Sequence, residues 1–235
     1  MEGSPVAPAA ASAVDCCASV ALSPADAAHM TAEALKCLLY SRGQIPCMYD
    51  DLERAASASA SAAEASAAAS SGAGKRRRVA SGGARRTLKF LSAVEPVLAG
   101  LPALFAAGAR DVVIAFGPTL LAPKEVYRLR FFYDAAAPAD ATRKQNAGRA
   151  LLRALVTQAA APAQLALTKT WLLLTAPRDA PGGFEPFKPK PRLPLNMKRC
   201  KTLCTFACGG DCGQPEEDLC WVQAPAPVQG VRPSA

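Results

Sequence analysis

Apolar residues recur along this chain with two different spacings, and the switches between them outline its elements. Leu35, Leu38 and Leu39 fall at helical spacing, with Cys37 and Tyr40 beside them. Thr31 is a possible N-cap for a helix opening on Ala32, Glu33 and Ala34. Gly43 and Pro46 end or bend it. The stretch YDDLERA (49–55) reads as a short further helical piece. A second long helix is marked by Leu88, Leu91, Val94, Leu98, Leu101 and Leu104 with Phe105. Pro96 and Pro102 conflict with it, because each removes an interior hydrogen bond. The stripe runs on through both, so the helix is kept.

The spacing then shortens. DVVIAFG (111–117) is a brief apolar, β-branched run of the kind that forms a buried strand. In EVYRLRFFY (125–133), Tyr127, Leu129 and Phe131 alternate with Arg128 and Arg130, as a strand with one wet face requires. A third helix is expected from about Asp140 to Gln158. Ala147, Leu151, Ala154, Leu155 and Gln158 make one stripe, and Leu152 and Val156 lie about 100° further round. That apolar face is wider than one buried seam needs. Arg143, Lys144, Arg149 and Arg153 fill the remainder. LALTKTWLLLT, KTLCTFAC and LCWVQA follow as strands. Strands outnumber crossover helices, which predicts an α+β fold: a mostly antiparallel sheet with three helices packed on one side.

Two stretches stand outside this pattern. Residues 1–27 are rich in Ala, Ser and Pro and read as a disordered N-terminal arm. Residues 55–84 are low in complexity and read as a basic linker interrupting a domain of residues 28–235.

Composition changes the picture only in places. The 51% hydrophobic content is inflated by alanine, and aromatics make up 6%. The net charge of +8 is concentrated at Lys75, Arg76, Arg77 and Arg78, with Arg85 and Arg86 close by. That run is a candidate nuclear localisation signal, or equally a solvated charge cluster. Binding to nucleic acid is an alternative, though aromatics are not interleaved with the basic residues. The N-terminus has no cationic start followed by an apolar run, and about 18 continuous apolar residues occur nowhere. Neither a secretory signal nor a membrane span is expected. The nine cysteines are then expected as reduced thiols.

Cys200, Cys204, Cys208 and Cys212 stand four apart. On a strand, thiols four apart are separated by roughly 13 Å and cannot share one ion unless the chain folds back. Cys208 and Cys212, flanking Gly209-Gly210, are able to do so across a turn. A reduced-thiol strand is the plainer reading. His29 is the single histidine, placed at the edge of the expected arm. There is no phosphate-binding or dinucleotide loop and no paired-carboxylate arrangement, so the chain does not read as an enzyme and implies no cofactor. FKPKPRLP (187–194) is extended and basic, either a preformed docking segment or a connecting loop.

Five segments in order resemble one family: LKCLLYSRGQIPCMYDDL, LAPKEVYRL, FKPKPRLP, the strand ending Ala207-Cys208-Gly209, and CWVQAPAPVQG. This is the comet family, binding partner and silencer of the mitotic-arrest-deficient HORMA protein of the spindle checkpoint. The resemblance covers about residues 30–231, the low-complexity insert excepted. It implies a HORMA-like fold and an adaptor. Such an adaptor recognises the closed checkpoint HORMA protein and delivers it to a hexameric AAA+ remodelling ATPase, dismantling the mitotic checkpoint complex. Meiotic chromosome-axis HORMA proteins are implied as further clients. The implied setting is nucleus and cytoplasm, with the spindle or kinetochore in mitosis. The family's partner-binding aromatic falls on Leu152, framed by Arg149 and Arg153. A glutamine that follows the first-helix tyrosine falls on Ser41, beside Tyr40, and serine is too short for the same reach. The ATPase-contacting pair matches Pro189-Lys190. Zinc is not implied.

Overall fold

The computed structural model describes residues 14–16, 22–69, 82–133, 141–158, 165–180, 183–196, 200, 202–209 and 219–232. Among these the chain forms β1 (Val14–Asp15), α1 (Pro24–Ser41), α2 (Tyr49–Ala69), α3 (Gly82–Ala106), β2 (Asp111–Phe116) and β3 (Glu125–Phe131). It continues with α4 (Ala141–Gln158), β4 (Lys169–Pro177), β5 (Lys188–Lys190), β6 (Thr202–Cys208), β7 (Leu219–Gln223) and β8 (Val228–Gln229). The strands make one sheet in the order β1-β6-β3-β2-β4-β7-β5, with β8 also paired to β4. Only β6 runs parallel to its neighbours, β3 and β1. All other pairs are antiparallel. The α+β class and the mostly antiparallel sheet are as expected, and they agree with a HORMA-like fold.

Strand alternation sorts the side chains into two clusters. Val112, Ile114, Phe116, Tyr127, Leu129, Phe131, Leu172, Leu174, Phe206 and Cys208 face the helices and join them in the main core. Val113, Ala115, Val126 and Leu173 face the other way. There Leu193 and Leu195 pack on them, and the Asn196 N–H donates to the Leu120 carbonyl at 3.1 Å. The link after β5 therefore crosses this second face on its way to β6. Arriving from the far end of the sheet, β6 enters parallel, as a crossover connection requires.

Two boundaries differ from expectation, each for a physical reason. First, α1 starts within the stretch read as a disordered arm. Ser23 is its N-cap, in a reciprocal capping box with Asp26: the Asp26 N–H donates to Ser23 Oγ at 3.2 Å, and the Ser23 N–H donates to Asp26 Oδ2 at 2.9 Å. Pro24 occupies the first helical turn, where its missing N–H costs nothing. Thr31 is thus mid-helix, and its hydroxyl donates back to the Ala27 carbonyl at 2.9 Å. His29 lies on this helix, half-buried.

Second, α2 runs to Ala69 and takes in half of the expected linker, giving four helices, not three. Alanine is the best helix former, and this segment is mostly Ala and Ser on a helix already nucleated by α2's first turns. Residues 70–81 lie outside the described residues. As expected from its apolar stripe, α3 continues unbroken through Pro96 and Pro102. Both are exposed, so water can take up the carbonyls that they free. This helix is long and apolar enough to cross a membrane. Its stripe of Phe90, Leu91, Val94, Val97, Leu101, Leu104 and Phe105 is buried in the main core.

Candidate partner-binding surfaces

Helix α4 packs against α1 and lies over β6. Ala147, Leu151 and Leu155 point into the core. Each of the two leucines contributes about 1.5–3 kcal/mol by leaving water. Arg149, Leu152, Arg153 and Val156 fall at positions i, i+3, i+4 and i+7, within a sector of about 100°. Leu152 is half-buried at the margin of the core, while Arg149 and Arg153 are exposed. Val156 is 57% exposed. The structure thus brings together the three α4 residues expected from sequence. Val156, read from the sequence with Leu152 as part of the surplus apolar face, lies beside them. The side chains of Arg143, Lys144 and Gln158 are not among those described.

Several cations have acidic partners among the described residues: Lys36 meets Asp50 at 2.9 Å and Glu33 at 3.3 Å, and Arg54 meets Asp51 at 2.9 Å. Arg128 and Arg130 share Asp111 at 3.0 and 3.2 Å. Helix α4 contains no Asp or Glu. Arg149 and Arg153 make no ion pair with any described residue.

Tyr40 and Ser41 end the adjacent helix α1. Tyr40 is 45% exposed. Ser41 is exposed, and its hydroxyl turns back onto the Leu38 carbonyl at 3.4 Å. Their position is set by the next three residues. Arg42 caps the helix and is 5% exposed. Its Nε donates to Tyr127 Oη at 2.7 Å and lies 3.0 Å from Glu125 Oε2; Tyr127 Oη donates in turn to that carboxylate at 2.8 Å. Burial first, and then the Glu125 carboxylate, push the Tyr127 hydroxyl well above its ordinary pKa, so it remains a donor. Gly43 takes φ 63°, a left-handed turn that favours glycine. Gln44 is fully buried; its Oε1 accepts from the Thr168 N–H at 2.9 Å, and its carbonyl accepts from the Val231 N–H at 2.7 Å. The sequence reading assigned this knot no role. In the structure it fastens the RGQ turn to β3, to the entry of β4 and to the chain's C-terminal segment.

The opposite end of the sheet holds the other expected pair. Pro189 and Lys190 lie on the edge strand β5, opposite Val222 and Trp221 of β7. Pro189 is exposed and Lys190 half-buried. An edge suits proline, which cannot donate to a ladder on both sides. The strand is seated by Phe187, 4% exposed, against α3. A Cβ at Gly100 would fall 2.7 Å from Pro186 Cδ and 3.0 Å from the Phe187 ring, so this close approach depends on glycine. The segment FKPKPRLP is therefore an edge strand continued by the link over the second face. Five strand steps separate β6 from β5, roughly 24 Å at the usual strand spacing.

The remaining expected sites resolve differently. Lys75, Arg76, Arg77 and Arg78 lie outside the described residues, as does Cys212. Of the seven described cysteines, Cys37, Cys47, Cys200, Cys204 and Cys220 carry free thiols. Cys204 and Cys208 do lie on a strand, half-buried and buried against the main core. Burial raises the thiol pKa of Cys37, Cys200 and Cys204, which keeps them protonated and poorly nucleophilic at neutral pH. No group of three or more His, Cys, Asp or Glu able to hold a metal gathers among the described residues. A groove of about 610 Å³ opens between α2 and α3, lined by Glu53, Ala56, Arg85, Leu88, Lys89 and Glu95 among others. It contains none of the expected site residues.

A family model described as "p31comet: Mad1 and Cdc20-bound-Mad2 binding" matches residues 6–233. The chain belongs to the p31comet family. No curated protein matches it. The family is described by what it binds.

Proposed function

We propose that this chain is a non-catalytic adaptor of the spindle checkpoint. Its α4 strip, with Tyr40 and Ser41 alongside, engages the closed form of Mad2. Pro189 and Lys190 on β5 engage a hexameric AAA+ remodelling ATPase. Holding both, the adaptor presents Mad2 for remodelling, so that the mitotic checkpoint complex is dismantled and the checkpoint silenced. HORMA proteins of the meiotic chromosome axis are further clients in this reading. The protein works in the nucleus and cytoplasm and at the spindle or kinetochore in mitosis, with Lys75–Arg78 serving import.

One observation carries the proposal: in a chain of a Mad2-binding family, α4 keeps an apolar strip at its surface after its core seam is filled. The test is size-exclusion chromatography of the full chain mixed with closed Mad2, wild type beside Leu152→Asp. Wild type should co-elute with Mad2 and the variant should not. A folded wild type that never co-elutes refutes the reading.

A further inference from the structure

The strip on α4 specifies the chemistry of what covers it. Two arginines with no acidic partner among the described residues lie beside two apolar side chains on one face of a helix that has no carboxylate of its own. Val156 is a β-branched residue more than half exposed in a helix, where neither propensity nor burial favours it. It lies about 6 Å along the axis from Leu152.

We infer that the partner surface facing α4 is an apolar groove rimmed by carboxylates, and that Val156 is a second apolar anchor beside Leu152. This rests on the Mad2-binding function proposed above and names the complementarity of that same site. The arginines act at long range, steering the encounter and fixing the register. The two apolar side chains act after docking, by excluding water from the groove. A nucleic-acid backbone would also satisfy the arginines. It would leave Leu152 and Val156 against solvent, so the apolar pair favours a protein.

The division of labour separates in kinetics. Association of the full chain with closed Mad2 is followed from about 0.05 to about 0.3 M salt, across which the screening length shortens severalfold. The wild-type on-rate should fall about tenfold over that range. Arg149→Glu with Arg153→Glu should slow association at low salt by about tenfold or more and flatten the salt dependence, whereas the paired lysine variant should keep it. Val156→Asp should raise the off-rate about tenfold with little change in the on-rate. These positions are exposed, so urea midpoints of the variants should match wild type.

An on-rate indifferent to salt and to both arginines, or an off-rate indifferent to Val156, overturns this inference while the adaptor function stands. Failure of wild type to bind Mad2 at all overturns that function, and this inference with it. Binding of a random-sequence DNA duplex through the same arginines, in place of Mad2, overturns both.

Discussion

The two ends of the sheet are built for different kinds of contact. Beside β6, a regular helix lies on the core and offers leucine, valine and two arginines without acidic partners. At β5, a three-residue edge strand offers a proline and lysines, with a single aromatic residue seating it. A surface of the first kind gains by being covered, since it carries removable apolar area. A surface of the second kind has little apolar area to lose from water and suits a light, exchangeable contact. Rigid strands join them across roughly 24 Å. The proposed function, in which a client is gripped at one end and lent to a machine at the other, uses this asymmetry.

The comparison breaks most severely at Arg42, which ties the Tyr40–Ser41 end of α1 to β3. Removing its guanidinium strands the Glu125 carboxylate, 12% exposed, and takes a partner from the Tyr127 hydroxyl. Arg42→Ala should cost about 3–5 kcal/mol of stability, read from urea unfolding. A loss under about 1 kcal/mol would mean that the knot is not a tie.

Next comes Leu152→Asp, which removes apolar contact and drives a charge into the covered strip. Affinity for closed Mad2, measured by calorimetry, should fall about 100-fold, equivalent to about 2.7 kcal/mol. Leu152→Ala should fall less, and the ordering of the two tests whether the strip is desolvated.

The smallest effect belongs at neither end. Tyr49 is 3% exposed, and its hydroxyl has no hydrogen-bond partner among the described residues. Burial, and then the neighbouring acids Glu53, Glu95 and Asp50, raise its pKa from 10.0 to about 12. A raised folded pKa favours the neutral hydroxyl, so the stability linked to it is complete below pH 10 and is lost as pH climbs towards 12. Tyr49→Phe should change stability at pH 7 by less than about 1 kcal/mol, in either direction. It should also remove part of the alkaline decline. An unchanged decline would exclude Tyr49 as its source.

How far each region was legible follows from how local its signal is. The alternation in β3 and the seam of α4 are short-range patterns, and the structure reproduces both. The α4 strip was visible as surplus apolar width. The start of α1 was written in Ser23-Pro24-Ala25-Asp26, a capping box that the surrounding Ala-rich composition obscured. Composition also hid the length of α2, where Ala and Ser read as linker although alanine extends a helix once one has begun. The knot at Arg42 and Gln44 was out of reach. Its partners stand 85 and 124 residues away in the chain, and no periodicity encodes such pairings. The same holds for the β5 edge, since three residues set no period and only pairing with β7 makes them a strand.

In the proposed function the two ends of the sheet act separately. This is tested most directly by mixing the full chain with closed Mad2 and the hexameric ATPase, and resolving the complexes by size. Wild type should join all three. Leu152→Asp should join the ATPase alone, and Lys190→Glu should join Mad2 alone. If either substitution severs both partners from a folded chain, the two ends are one site and the account is wrong.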